Sequence, residues 1–303
     1  MKYTYILVFM LFLLSACDRD SRVHTIPDDL KIVPGQKRTP KTEEVEEVPE
    51  DSSEMAEIQD SLDVDEMSDS TEVEQKDSVS DYEPAEVISK HLAAIGAGFR
   101  SKKKTVKITA VYNQGGQAMP IVSYTKRPSF NRVEMEIPSQ GQKFYLTQGY
   151  DGKDAWKIQS WLGDKVEDAT PEEKDRFKAR CDVDGDLWKW KEKGNKITAE
   201  GYEDVNGNKH YKMKLRTDDD LQTIFIHTET FMISKVSQKT KINGQEYLAE
   251  TEFEDYISVE GIKEPRKTTQ KYDGNVSHVV EYKKIEYDLP MSDTLFTRPI
   301  ENK

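Results

Sequence analysis

Residues 126–159 read KRPSFNRVEMEIPSQGQKFYLTQGYDGKDAWKIQ. Val133, Met135 and Ile137 alternate with Arg132, Glu134 and Glu136. That period of two buries one face of a strand and leaves the other in water. Ser139-Gln140-Gly141 turns this strand into a second over 143–150, and Asp151-Gly152 turns that into a third over 154–159. Successive strands joined by tight turns make an antiparallel sheet.

The pattern extends both ways. Upstream, Val106, Ile108, Ala110 and Tyr112 alternate with polar residues, and Asn113-Gln114-Gly115-Gly116 leads into a strand over 117–126. Before these the period changes: Val87, Ile88, Leu92 and Ile95 fit a helix over 85–97, entered at Pro84 and closed by Gly96 and Gly98. Downstream the strands are interrupted. Thr170-Pro171-Glu172-Glu173 reads as an N-cap, a proline at the first helical position and acids in the first turn. Helices are predicted over 171–180 and around 186–192. Strands resume over 196–203, 209–217, 221–227, 231–241, 246–257, 266–272 and 276–288. Asn206-Gly207, Asn243-Gly244 and Asp273-Gly274 favour primed hairpin turns between them. The sum is a mainly β, α+β fold: one large curved sheet of about eleven strands. Its apolar face must be covered, and the helical segments are the candidates.

Charge separates this domain from what precedes it. Residues 18–84 hold 22 Asp/Glu against 7 Lys/Arg, a net charge of −15, whereas the whole chain carries −13. With +1 on residues 1–17, residues 85–303 are left at a net +1. The low pI therefore belongs to the acidic stretch, and no basic patch of nucleic-acid type survives the subtraction. A segment so rich in charge and poor in apolar residues is expected to be a disordered tether, averaging about 45 Å as a flexible chain.

The N-terminus implies how that tether is held. Residues 6–14 are uninterruptedly apolar, too short to span a bilayer but suited to a signal-peptide core. The run ends in Leu14-Ser15-Ala16-Cys17, which resembles a bacterial lipobox. Cys17 is thus the expected lipidation site, carrying diacylglycerol and fatty acyl groups, with 1–17 as signal peptide, 18–84 as tether and 85–303 as the folded domain. Several acyl chains at about 0.8 kcal/mol per buried methylene make a lasting anchor. The expected location is the cell envelope, on the outer membrane facing the periplasm. The second cysteine, Cys181, then has no intramolecular partner.

Catalytic motifs are not found. His24, His91, His210, His227 and His278 are scattered without metal-ligand spacing, and G-x-S-x-G, P-loop and dinucleotide fingerprints are missing. Asp182-Val183-Asp184-Gly185-Asp186 suggests calcium, but an EF-hand loop needs Gly at 187 and Glu at 193, where this chain has Leu187 and Lys193. The expectation is a non-enzyme without metal or cofactor.

Three short motifs carry a family resemblance. Residues 126–134 are similar to the "KRPN-F-x-W" stretch, residues 151–156 to the "DGK-x-x-W" turn, and residues 293–299 to the "F-x-x-P" ending of LolA/LolB-like outer membrane lipoprotein-sorting proteins. The starting helix His91-Leu92-Ala93-Ala94-Ile95-Gly96 resembles lipid-modified Bacteroidetes homologues. The resemblance implies an unclosed antiparallel β-barrel with a helical lid over a hydrophobic cavity that receives acyl chains. It assigns Arg127 as a lid latch, bonding backbone carbonyls of the lid helices within 171–192. Phe130, Val133, Met135, Ile137, Trp156 and Ile158 are the expected cavity wall, with Leu187 and Trp190 contacting from the lid. The implied function is lipoprotein or lipid sorting and transport, with lipid or lipoprotein acyl chains as ligand, the membrane reached through the anchor, and other envelope proteins as further partners. Two departures stand out: LolA is soluble whereas this chain is expected to be tethered, as LolB is, and the first lid helix is very polar. An RseB-like sensory module and a structural lipoprotein with a filled core remain alternatives.

Overall fold

The computed structural model describes residues 81–300, with 219 and 243 excepted; the expected signal peptide, Cys17 and nearly all of the tether lie outside the described residues. Strand-period alternation is realised along almost the whole domain. The first meander comprises β1 (Thr105–Gln114), β2 (Gln117–Lys126), β3 (Phe130–Ser139), β4 (Gln142–Tyr150), β5 (Ala155–Gln159) and the short β6 (Val166–Asp168). The second comprises β7 (Lys196–Val205), β8 (Asn208–Arg216), β9 (Leu221–His227), β10 (Ile233–Ile242), β11 (Gln245–Glu254), β14 (Lys267–Tyr272) and β15 (Asn275–Tyr287). A small hairpin, β12 (Ile257–Val259) and β13 (Ile262–Glu264), leaves the sheet between β11 and β14.

The strand order is β6-β5-β4-β3-β2-β1-β15-β14-β11-β10-β9-β8-β7, antiparallel throughout. The two meanders are joined by the pairing of β1 with β15, where Ile108 faces Ile285 and Tyr112 faces Val280. Edges β6 and β7 do not pair, so the sheet stays unclosed, as expected. Register shifts at Thr109/Ala110, Ala199/Tyr202, Ile233/Lys235 and Gln270/Lys271 bend it, because a bulge adds a residue on one strand and increases local twist. Asn206-Gly207 and Asp273-Gly274 both adopt positive φ at both positions, as primed hairpin turns require.

One face carries the core in two patches. Val106, Ile108, Ile121, Val133, Met135, Ile137, Val280 and Tyr282 form the first, and Met213, Leu215, Ile224, Ile226, Val236 and Phe253 the second. The opposite face is wet and charged: Lys235 pairs with Glu250 at 3.3 Å, Lys271 with Glu252 at 2.6 Å and Lys267 with Glu254 at 2.6 Å. A barrel crossing a bilayer needs apolar side chains there, so this sheet is not lipid-embedded. Among the described residues no helix is long and apolar enough to cross a membrane.

The helices differ in part from expectation. Helix α1 (Pro84–Ala94) and the short α2 (Ala97–Arg100) replace one helix over 85–97, because Gly96 turns left-handed between them. Helix α3 (Pro171–Ala179) begins as predicted: Thr170 and Glu173 form a reciprocal capping box. The helix expected at 186–192 does not form. That stretch is a series of turns in which Lys189 has φ 53, a left-handed value that breaks a right-handed helix. Strand β6 and the β12–β13 hairpin, each strand three residues long, fall below what periodicity can detect.

Candidate functional site: the inner face and its cover

The chain between β6 and β7 has to travel from one open edge of the sheet to the other, and it does so across the inner face. Phe177 and Cys181 pack with Tyr150 and Ala155, Val183 joins the first core patch and Leu187 the second. Trp190 packs at the margin of the second patch. Helix α1 adds Val87 and Ile88 to that patch, and Ile262 of the β12–β13 hairpin enters the first. The cover is thus made of three short pieces rather than one long lid.

Polar contacts tie these pieces to the frame. Arg127 makes a two-pronged ion pair with Asp184, Nη1 to Oδ2 at 2.8 Å and Nη2 to Oδ1 at 2.7 Å. Its Nε donates to the Lys103 carbonyl at 2.8 Å. Arg127 therefore reaches the 171–192 segment through a carboxylate, while the carbonyls it binds belong to the α2–β1 turn; carbonyl bonds to the lid were expected instead. Behind α3, Lys157 pairs with Glu173 at 3.0 Å and Arg180 donates to Gln148 at 3.0 Å. His91 of α1 donates from Nδ1 to the Phe231 carbonyl at 2.7 Å, and burial lowers its pKa to about 4, so it acts as a neutral strut.

Three of the expected cavity residues face the other way. Val133, Met135 and Ile137 lie on the inner face within the first core patch. Phe130 has opposite parity on β3, and Trp156 and Ile158 share its face through the pairings Arg132–Gly149–Trp156 and Glu134–Thr147–Ile158. Phe130, Trp156 and Ile158 are therefore outer-face residues, not cavity wall. The C-terminal segment covers two of them. Trp156 Nε1 donates to the Phe296 carbonyl at 2.9 Å, the Phe130 and Phe296 rings lie 5.5 Å apart, and Arg132 stacks on the Trp156 ring at 5.4 Å. Gly149 makes room for the indole, since a methyl group there would overlap the Trp156 ring. The "DGK-x-x-W" and "F-x-x-P" motifs thus meet in a clamp on the outside. The parity of Phe130 against Val133 was the sequence signal for this.

A cleft of about 60 Å³ remains between α1, residues 184–187 and the β12–β13 hairpin, lined by Leu92, Ile95, Leu187, Ile233, Phe253 and Tyr256. A second, of about 30 Å³, lies beside Val183 and Tyr282. The larger has room for only a few water-sized groups. Charged groups also border it. Arg100 Nη2 pairs with Glu264 at 2.7 Å, and Tyr287 donates to the same carboxylate oxygen. Asp186 is 7 % exposed, and its Oδ2 has no partner. Among the described residues no group of three or more His, Cys, Asp or Glu is placed to hold a metal.

Burial pushes the Asp186 carboxyl up to about 7, with Lys193 opposing and Asp182 and Asp220 adding to the rise. A carboxyl whose folded pKa exceeds its unfolded value costs stability as pH climbs between the two, because only the unfolded chain is then free to ionise. The advantage of Asp186→Asn over the wild type is accordingly expected to grow by about 2–3 kcal/mol between pH 5 and pH 8. Urea unfolding at both pH values measures it, and parallel profiles for the two proteins would contradict the assignment.

No protein-family model and no curated protein matches the chain. Solved structures do. A DUF1329 family protein from Desulfovibrio piger is 15% identical, with a TM-score of 0.48 over 70% of this chain and 97% of its own. An outer membrane lipoprotein-sorting protein domain from Vibrio parahaemolyticus is 11% identical, with a TM-score of 0.47 over 69% and 97%. A LolA superfamily protein from Nitrosomonas europaea is 13% identical, with a TM-score of 0.45 over 71% and 97%.

Proposed function

We propose that this is a non-catalytic envelope lipoprotein whose sheet takes up acyl chains of lipoproteins or other lipids once its cover has moved aside, and that it serves lipoprotein or lipid sorting from an outer-membrane anchor at Cys17. One observation carries the reading. The β6–β7 connection crosses the apolar face on a handful of apolar side chains, Phe177, Cys181, Val183, Leu187 and Trp190, while its other links to the frame are ionic or polar at Arg127–Asp184, Lys157–Glu173 and Arg180–Gln148. Such a segment can leave without breaking any strand pairing. Its departure would present two apolar patches to a ligand, and each methylene transferred onto them gains about 0.8 kcal/mol.

The two clefts are far smaller than an acyl chain, so the structure corresponds to a closed state in this reading. Their size also favours a second reading, in which the inner face is permanently filled and the domain works as an envelope interaction or sensory module. Arg127→Leu separates the two. Removing the guanidinium leaves the Asp184 carboxylate without its two charge-assisted bonds, which is expected to cost about 1–3 kcal/mol. In the carrier reading, uptake of a fluorescent long-chain fatty acid becomes several-fold faster in the variant while the sheet remains folded by circular dichroism. Absence of uptake by both proteins, together with lipid-free mass spectra of the purified chain, favours the filled module.

A further inference from the structure

Phe99 is 59 % exposed and stands beside the cleft, next to Arg100 in its wall. The turn that carries it is well fixed. Lys102 N–H donates to the Phe99 carbonyl at 3.2 Å and Lys103 N–H to the Arg100 carbonyl at 3.0 Å. Arg127 backs the turn from below, through its side chain to the Lys103 carbonyl and its own N–H to the Lys104 carbonyl at 3.0 Å. The ring rests over Gly261 at the tip of the β12–β13 hairpin. An apolar side chain is therefore held outward on a rigid tip rather than left on a loose loop.

The charges around it are unequal. Lys103 is occupied by Glu260 and by Asp288 at 3.1 Å. Lys102 and Lys104 are exposed, and among the described residues their side chains enter no ion pair. Lys263 lies in the adjoining cleft wall, where it adds a further positive charge. We infer that this tip docks on an anionic lipid bilayer, with Phe99 entering the boundary between headgroups and acyl chains while Lys102 and Lys104 meet lipid phosphates. An aromatic ring flanked by lysines suits that interface, since the ring gains by leaving water and the cations are attracted by the negative surface potential. Weak docking suffices for a chain that its N-terminus holds at the same surface, because tethering makes the contact intramolecular. Docking would turn the cleft toward the bilayer. The inference rests on the anchored reading but not on acyl uptake, because the contact is made by the outer tip.

The test uses the full-length chain with Cys17→Ser, so that no lipid is attached, and Phe99→Cys carrying an environment-sensitive fluorophore; Cys181 is buried. The protein is floated with phosphatidylcholine vesicles or with vesicles that also contain phosphatidylglycerol. Expected are a blue shift and quenching by a lipid-borne quencher on the anionic vesicles. The inserted fraction should fall about tenfold or more when Lys102→Glu and Lys104→Glu are added. A probe that stays in water on chains that float, failure of the chain to bind anionic vesicles even at saturating lipid, or insertion indifferent to the lysine reversals would each overturn the inference. So would a blue shift that needs no lipid and grows with protein concentration, which would assign the tip to a second copy of the chain.

Discussion

Phe296→Ala is expected to lower the unfolding free energy by about 3–5 kcal/mol, as for other fully buried aromatic side chains cut back to alanine. Phe296 is 0 % exposed although it lies close to the C-terminus and outside the main core. Its burial is created by the outer-face clamp of Phe130, Trp156 and Arg132. The strap extends to both sides: Arg132 Nη1 donates to the Leu295 carbonyl at 3.0 Å, Lys126 pairs with Asp293 at 2.5 Å, and Arg298 bonds the Val166 carbonyl at 2.7 Å. It therefore spans β2 to β6, the half of the sheet with the weakest edge. Truncation should loosen that edge while leaving β7–β11 intact. Urea unfolding gives the free energy, and hydrogen exchange should show β5 and β6 opening first. A loss under 1 kcal/mol would mean that the C-terminal segment is a passive tail.

The second large effect is at Gly96. A methyl group there would overlap the Gly261 carbonyl oxygen, and the residue's φ of 70 already disfavours any L side chain. The obstacle is backbone, so no side-chain rearrangement relieves it. Gly96 and Gly261 are where the α1–α2 corner meets the β12–β13 hairpin, which Lys263 N–H joins to the Ile95 carbonyl at 2.9 Å. Gly96→Ala is expected to cost about 3 kcal/mol or more, the sum of a strained left-handed residue and a displaced contact. The damage should fall on the cover, since no pairing of the main sheet passes through this corner. Increased binding of a hydrophobic dye, with strand content retained, would show the inner face exposed; unaltered stability would refute the close approach.

Much of the site's architecture is legible in the chain because it is local. The alternation of Val133, Met135 and Ile137 with charged neighbours places them on the inner face, and Thr170 with Glu173 announces the start of α3. The motif around Arg127 marks a residue that does contact the cover. Its partner Asp184 stands out in the sequence only within a calcium-like run that lacks the EF-hand spacing, since nothing local says that a guanidinium lies 57 positions away in sequence. Asp186, Arg100 and Glu264 were missed for the same reason. Each is polar and unremarkable in sequence, and only burial gives it meaning. Leu187 was expected one helical turn from Trp190; the left-handed Lys189 changes the backbone between them, yet both still pack on the second core patch.

What the sequence determined by itself is the strand period, the turn positions, the helix caps and the segregation of acidic charge, all set by dihedral preference and solvation within a few residues. Tertiary structure alone decided which aromatic residues belong to the core and which to the outer clamp. Trp156 is as apolar and as sheltered as true core residues, with Phe130 half-buried beside it, and only the returning C-terminus makes their outward side dry. The same holds for the cover. That the β6–β7 connection lies across the apolar face follows from two sheet edges left unpaired, a property of the completed sheet and of no segment within it.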